Sequence, residues 1–391
     1  MNDKQFICRP KELVKGIFKM NAFKKRVLVN FVRKDELLSK ILLFGEFSVL
    51  HTNLKEGLEE LGHNVLLVSS GDGEKNIKRD IDISVEDKNF SGKIKKYYNN
   101  QKTLKSLTNF DVVQFINPYI KPKSTLYSYL NIINKNKKIV FLACGDDINV
   151  SNFIKSGGMS KYSPFDVEIE NNKPLPYDSY IHKTVQKKIL RKMDIIIPTV
   201  FEYAEAYRQS EFIKKISKTI PFPINTNKIK FINNEVKGKI IIYHASNRPI
   251  TKGSSYIIEA MKIIEKKYPN DVEIITAEYL PLNEYLETIN KAHIIIDQCR
   301  SYSYGMNALY SMAKGKIVLS GKEDECLKEL GLNSSPVINI TPNVMHIVQQ
   351  LEALITNKNG LEELGLESRK FVEKHHNHIA IAEKYIKTWE I

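Results

Sequence analysis

Two loops in the second half of the chain carry residue types that bind phosphate. In the first, IIIYHASNRPITKGSSYIIEAM, a strand ends near Tyr243 and a polar loop presents His244, Asn247, Arg248 and Lys252. Gly253-Ser254-Ser255 then opens a helix in which Ile257, Met261 and Ile264 recur at core spacing. Free amides at a helix start, beside a planar guanidinium and an ammonium, make a site for a diphosphate. The second loop, IIIDQCRSYSYGMNALYSMAKGKIVLSG, runs from a buried strand through a Ser/Tyr-rich stretch into a short helix, Met306 to Lys314, closed by Gly315. Gly305 lets the backbone approach a ligand closely, so this is a second helix start able to cradle phosphate. Two anion sites on one sheet edge point to a single pyrophosphate.

These loops need a parallel sheet to hold them. Short apolar runs at Ile41 to Phe44, Val65 to Val68, Val112 to Ile116, Ile139 to Leu142 and Ile195 to Ile197 read as buried strands. Between the first two, Leu50, Leu54, Leu58 and Leu61 recur at helical spacing and Gly62 ends the helix. Pro221-Phe222-Pro223 forbids a helix and reads as a hinge. Strand and helix then alternate again from Ile240 to Leu319, which predicts a second parallel sheet covered on both faces. The expected class is α/β, with two Rossmann-like domains facing across a cleft.

A chain of 391 residues exceeds what one core usually serves, and its 42% apolar content suffices for two. The expected division is a basic extension over 1–39, an acceptor domain over 40–222, a donor domain over 223–372, and a last helix over 373–391 that crosses back to the first domain. Ligands of such sheets collect beyond the strand ends. Those ends carry Gly45-Glu46-Phe47-Ser48, Asn117-Pro118-Tyr119, Cys144-Gly145-Asp146-Asp147 and Pro198-Thr199. The first of these turns is not G-x-G-x-x-G, which disfavours a nicotinamide or flavin dinucleotide. Residues 151–180, rich in Gly, Pro, Asn and Tyr, are expected to form an irregular excursion at the cleft.

The formal net charge of +14 is mostly diffuse lysine, with no aromatic-bearing basic strand or zinc spacing, so no nucleic-acid partner is expected. Residues 1–39 concentrate cations among Leu13, Ile17, Phe18, Phe23, Val27 and Phe31, a pattern suited to an anionic membrane surface. Solvated lysines on a packing extension would look the same. No long apolar run and no secretory leader is evident, and Cys8, Cys144, Cys299 and Cys326 are widely spaced. The expected location is the cytoplasm, with peripheral attachment at the inner face of the membrane at most.

The segments RPITKG and SYGMNALYSMAKGKIV, with the opening KILLFGEFSVLHTNLKEGLEELGHNV and the C-terminal helix, resemble the GT-B glycosyltransferases of family four over residues 40 to 391. The resemblance implies a metal-independent, retaining transfer from a nucleotide-diphosphate sugar, without a cofactor, often in surface polysaccharide synthesis. The acceptor it implies is a glycan or a lipid-linked glycan. It places the diphosphate on Arg248 and Lys252, and phosphate or sugar on Gly305, Met306 and Asn307. It brings the base to Ala277-Glu278-Tyr279-Leu280, where Tyr279 offers a stacking face. His244, Asn247, Gly253, Tyr302, Tyr304 and Tyr310 complete the expected donor-binding set.

The chain also departs from that pattern. The family usually places two glutamates eight positions apart where this sequence has Tyr302 and Tyr310. A tyrosine hydroxyl accepts a ribose hydrogen bond but offers no formal charge to an oxocarbenium. The family's usual His past the fourth strand is replaced by Asn117-Pro118-Tyr119. Asp146 and Asp147 are the candidates for acceptor contact or proton transfer, against the alternative that each merely caps a helix. Glu46, Phe47, His51 and Asn117 complete the expected acceptor side. The missing glutamates leave open a non-catalytic paralogue, and the fold leaves open a sugar-nucleotide epimerase.

No metal site is expected. His375-His376-Asn377-His378 has only Glu373 as a neighbouring carboxylate. Asp80-Ile81-Asp82 matches a D-x-D motif, but no strand is expected to lead into it.

Overall fold

The computed structural model describes residues 38–85, 89–116, 126–171, 173–175, 179–278 and 282–391. Asn117, Tyr279 and nearly all of the basic extension therefore lie outside the described residues. The first sheet contains β1 (Lys40–Phe44), β2 (Asn64–Ser69), β3 (Ile81–Asp82), β4 (Val112–Phe115), β5 (Lys138–Ala143) and β6 (Ile195–Pro198), all parallel, in the order β3-β2-β1-β4-β5-β6. The second contains β7 (Ile240–Ser246), β8 (Val272–Glu278), β9 (Ile294–Ile296), β10 (Ile317–Ser320) and β11 (Ile338–Asn339), also parallel, in the order β11-β10-β9-β7-β8.

The central strands are mostly apolar on both faces because helices cover both faces of each sheet. Alternate side chains feed different cores: Ile41 and Leu43 of β1 join the cluster beneath helix Leu50–Glu60, while Leu42 and Phe44 join that on the opposite face. Strand order reverses between β1 and β4 in the first sheet and between β7 and β9 in the second. Chains leaving such neighbours turn to opposite faces and open a crevice beyond their C-terminal ends.

Helix His378–Trp389 packs on helix Leu50–Glu60 in the first domain. Gly57 permits this, since a Cβ there would stand 2.3 Å from the carbonyl oxygen of His378. The two connections between domains run side by side. The Ile224 amide donates to His376 O at 2.7 Å, and His376 Nδ1 donates to Phe222 O at 2.9 Å.

Two sequence expectations fail here. The 151–180 segment is not irregular throughout. Helix Ile148–Lys155 runs into it because Asp147 caps that helix, and a second short helix spans Asp166–Glu170. The D-x-D match is not outside the sheet either, since Ile81 and Asp82 form β3 beside Val68 and Ser69. A two-residue edge strand is too short for periodicity to reveal.

Candidate functional site

On the second-domain side, the site is built at the β7/β9 crevice. Asn247 and Arg248 follow β7 and are both exposed. Ser246 Oγ accepts the Arg248 amide at 3.0 Å and fixes the loop. Gly253 then adopts φ +75°, and a Cβ on it would lie 2.5 Å from Cys299 Sγ. Only glycine therefore lets helix Ser254–Lys267 begin this close to the loop after β9.

Beneath Arg248, Lys252 Nζ lies 2.7 Å from Oδ1 of Asp297, a residue only 2% exposed. Asn307 Nδ2 donates to the same oxygen at 2.7 Å, and the Tyr285 hydroxyl donates to Asn307 Oδ1. Burial raises the Asp297 carboxyl pKa, but Lys252 and Asn307 outweigh it and the net shift is downward. Asp297 is thus an anion that aims both Lys252 and Asn307. Gly305 caps helix Met306–Ala313, and the space where its Cβ would stand is open to 4 Å. Met306 and Tyr310 of that helix are half-buried.

His244 does not reach a ligand as a donor-site cation. Burial pushes its pKa down to about 4. Nδ1 donates to Ile296 O and Nε2 accepts from Ser254 Oγ, both at 2.8 Å, so the neutral ring pins the helix start. It also lines, with Ser246, Ser254, Ile258, Thr276, Ala277 and Glu278, a pocket of about 170 Å³ at the ends of β7 and β8.

Across the cleft, Asp146 is half-buried, and burial raises its carboxyl pKa while the Arg248 charge pulls it back and Glu202 pushes it up. The Arg248 charge therefore acts on Asp146 from the other domain, without an ion pair between them. Asp147 does not take part. It is 2% exposed and caps helix Ile148–Lys155 through the Asn149 and Val150 amides, with the Tyr207 hydroxyl as a further donor. Burial holds its pKa up near 6 despite those bonds.

Glu46 and His51 are likewise internal. Glu46 accepts from the His51 and Thr52 amides and the Thr52 hydroxyl, doing the capping that Val49 cannot. His51 is fully buried, donates from Nδ1 to Gly45 O at 2.8 Å and accepts from Gln114 at Nε2. Phe47 is half-buried against the first-domain core. Ser48 and Val49 both have positive φ, at 50° and 63°. Left-handed backbone at a β-branched residue is strained, and the loop is tied down by Asp72 on the Ser48 amide and Lys75 on the Ser48 hydroxyl.

Tyr302 and Tyr304 are corrections too. Tyr302 is 2% exposed, with its ring stacked on Phe201 and edge-on to Tyr162. Its hydroxyl accepts the Lys161 amide at 2.8 Å. It is an interdomain anchor, joined by Glu202, which accepts from Ser301 Oγ, Ser303 N and Ser303 Oγ. Lys161 with Glu323, and Arg208 with Glu329, extend the same contact at 2.6 and 2.7 Å. Tyr304 is a core residue against Phe371 and His376. Tyr302→Phe is expected to lower stability by about 1 kcal/mol, the worth of one hydrogen bond, and to leave nucleotide affinity unchanged; melting and titration calorimetry check both.

Sequence reasoning missed Asp297, Glu202 and Arg300. Asp297 had a signal, since an acid directly after three isoleucines of a buried strand demands a partner. Arg300 is 7% exposed, lies over the Tyr256 ring at 5.4 Å, and its Nε and Nη1 have no hydrogen-bond partner. Histidines of the tract serve other bonds. His376 bonds Phe222 O and His378 bonds Glu60 at 2.9 Å, in different directions. Among the described residues no group of three or more His, Cys, Asp or Glu side chains is arranged to hold an ion.

No protein-family model matches the chain, and no curated protein matches it in sequence. Solved structures do match in shape. Sucrose-phosphate synthase from Thermosynechococcus elongatus superposes with TM-score 0.60 at 13% identity, over 90% of this chain and 98% of that one. The chain has the GT-B fold. HepE from Anabaena, in complex with UDP and glucose, gives 0.58 at 12% identity over 90% and 99% of the two chains. A glycosyltransferase from Rickettsia africae gives 0.51 at 13% identity over 90% and 98%. In this GT-B chain, Asp146 of the first domain lies within the electrostatic reach of Arg248 of the second.

Proposed function

We propose that the protein transfers a sugar from a nucleotide-diphosphate donor to an acceptor hydroxyl of a glycan or lipid-linked glycan, with retention and without a metal ion. The observation that carries this is the β7/β9 crevice. An exposed guanidinium with no hydrogen-bond partner among the described residues, an ammonium aimed by a buried carboxylate and two helix starts converge on one volume. Arg248 and Lys252 supply the charge that stabilises a departing diphosphate, and Asn307 and the amides opening helix Met306–Ala313 add donors. The pocket beside Ala277 and Glu278 is the size of a base or ribose, and HepE, which shares the fold, is seen with UDP.

Asp146 takes the acceptor side. A bound diphosphate draws Arg248 toward itself and away from Asp146, which loses the one attraction lowering its pKa. The carboxylate then becomes a better base toward an acceptor hydroxyl.

The test is a panel of nucleotide sugars, UDP-linked first, read by thermal shift and by sugar release. A ligand at 100 times its dissociation constant stabilises the native state by about 2.7 kcal/mol. No shift with any nucleoside diphosphate at millimolar concentration removes the reading. Shifts without consumption of donor identify a binding protein instead, and donor conversion without acceptor identifies an epimerase.

A further inference from the structure

Helices Phe90–Ser106 and Tyr180–Leu190 both cover the face of the first sheet opposite helix Leu50–Glu60, through Leu104, Ile189 and Leu190. Their solvent sides are basic. The first carries Lys93, Lys95, Lys96, Lys102 and Lys105, and the second carries Lys183, Lys187 and Lys188, followed by Arg191 and Lys192. Neither helix contains an acidic residue, although the whole chain has 45 Asp and Glu against 59 Lys and Arg. Between the two lies helix Leu126–Asn134, without charge, which Lys192 reaches at Asn134. Glu86, Asp87 and Asp178 precede the two helices in the sequence, and among the described residues Glu211 pairs with Lys187 and Arg191 at 2.7 and 3.3 Å.

Solvated lysines alone would leave this an ordinary polar surface. Apolar side chains distinguish it. Phe90, Ile94 and Tyr98 recur every four residues, so they form one stripe along the helix, and they are 80%, 43% and 68% exposed. Tyr180 is 82% exposed; it and Phe90 are the two most exposed large apolar side chains among the described residues. Aromatic rings interleaved with cations match the boundary between anionic headgroups and acyl chains, and the open concavity of about 520 Å³ among Lys183, Lys187, Lys188, Arg191 and Lys192 suits a phosphate headgroup. A single-stranded nucleic acid uses the same cations and can stack on the rings, but it leaves Ile94 in the middle of the stripe exposed.

Topology places this face beside the cleft. Each helix runs back to the start of the next parallel strand, β4 or β6, so Phe90 and Tyr180, at the helix starts, lie toward the cleft edge while the later lysines lie away from it. We propose that the helices Phe90–Ser106 and Tyr180–Leu190 form a docking face for an anionic lipid bilayer, with the aromatic residues at its cleft edge. The surface is built from residues other than those of the 1–39 extension. It deepens the transferase reading, because a docked cleft meets an acceptor carried on lipid.

The test is sedimentation of the full chain with vesicles, in the absence of any donor, so that its failure leaves the donor-site reading untouched. Wild type is expected to bind phosphatidylglycerol-containing vesicles, weaken as salt rises, and bind phosphatidylcholine vesicles poorly. Lys93→Glu with Lys95→Glu, Lys102→Glu and Lys188→Glu is expected to lower affinity at least about tenfold, and Phe90→Ser with Tyr180→Ser severalfold, both with unchanged melting because these side chains are exposed. Wild-type vesicle binding by both variants overturns the proposal and returns attachment to residues 1–39. So does tighter binding of single-stranded RNA than of anionic vesicles.

Discussion

Replacing Arg248 with alanine is expected to lower sugar release from the donor about 100- to 1000-fold, the usual loss when one fixed donor to a developing anion is removed. Its melting temperature is expected to stay at the wild-type value, since the side chain is exposed and makes no hydrogen bond among the described residues. Lys252 needs a different design. Lys252→Ala strands the Asp297 carboxylate at 2% exposure, and breaking a buried pair on one side costs roughly 3–5 kcal/mol. Lys252→Met combined with Asp297→Asn removes both charges at similar volume and isolates the catalytic loss. Wild-type turnover in Arg248→Ala, or an equal fall in stability and turnover, sinks the assignment of the diphosphate to this loop.

Acid is expected to destabilise the protein through its buried imidazoles from about pH 6.5 downward. His51, His244 and His376 are each held at a pKa of about 4, in every case first by burial, which disfavours the charged ring. The unfolded chain binds their protons near pH 6.5, the folded chain only near 4. Stability is therefore complete above about pH 6.5 and declines as pH falls toward 4, where the difference levels off. Each ring is worth roughly 3 kcal/mol over that window, and the Asp147 carboxyl, held up near 6 and protonating first in the folded state, offsets part of their sum. Denaturant titrations between pH 7 and 4.5 check this. His376→Asn, which keeps a donor for Phe222 O, is expected to flatten the dependence by about one third; an unchanged slope means the ring is not the titrating group.

Several of the sequence's errors share one cause. Asp147, Glu46 and His51 sit at strand ends where ligands gather, but backbone amides sit there too. A polar side chain at a sheet edge is recruited by the nearest unpaired amide unless the geometry forbids it. Sequence spacing alone does not distinguish Asp146, which feels the Arg248 charge, from Asp147, which faces its own helix. Tyr302 failed for another reason. The Ser/Tyr-rich loop after β9 reads as a ligand loop, yet Phe201, Tyr162 and Glu202, some 100 or more positions earlier, claim it for the domain contact.

What the chain determined locally was legible without a structure. Helices Ser254–Lys267 and His378–Trp389 begin and end where caps and apolar spacing place them, because helix limits are set by neighbours a few residues away. Apolar runs named every strand except the two-residue edge strands β3 and β11, and their alternation with helices named two parallel sheets. The RPITKG loop announced its cations by residue type. Strand order, the meeting of β7 with β9, the pairing of Lys252 with Asp297 and the action of the Arg248 charge on Asp146 were decided by tertiary structure alone. Each joins residues separated by tens to about a hundred positions, whose approach depends on which faces the helices bury, and that is a property of the whole packed core.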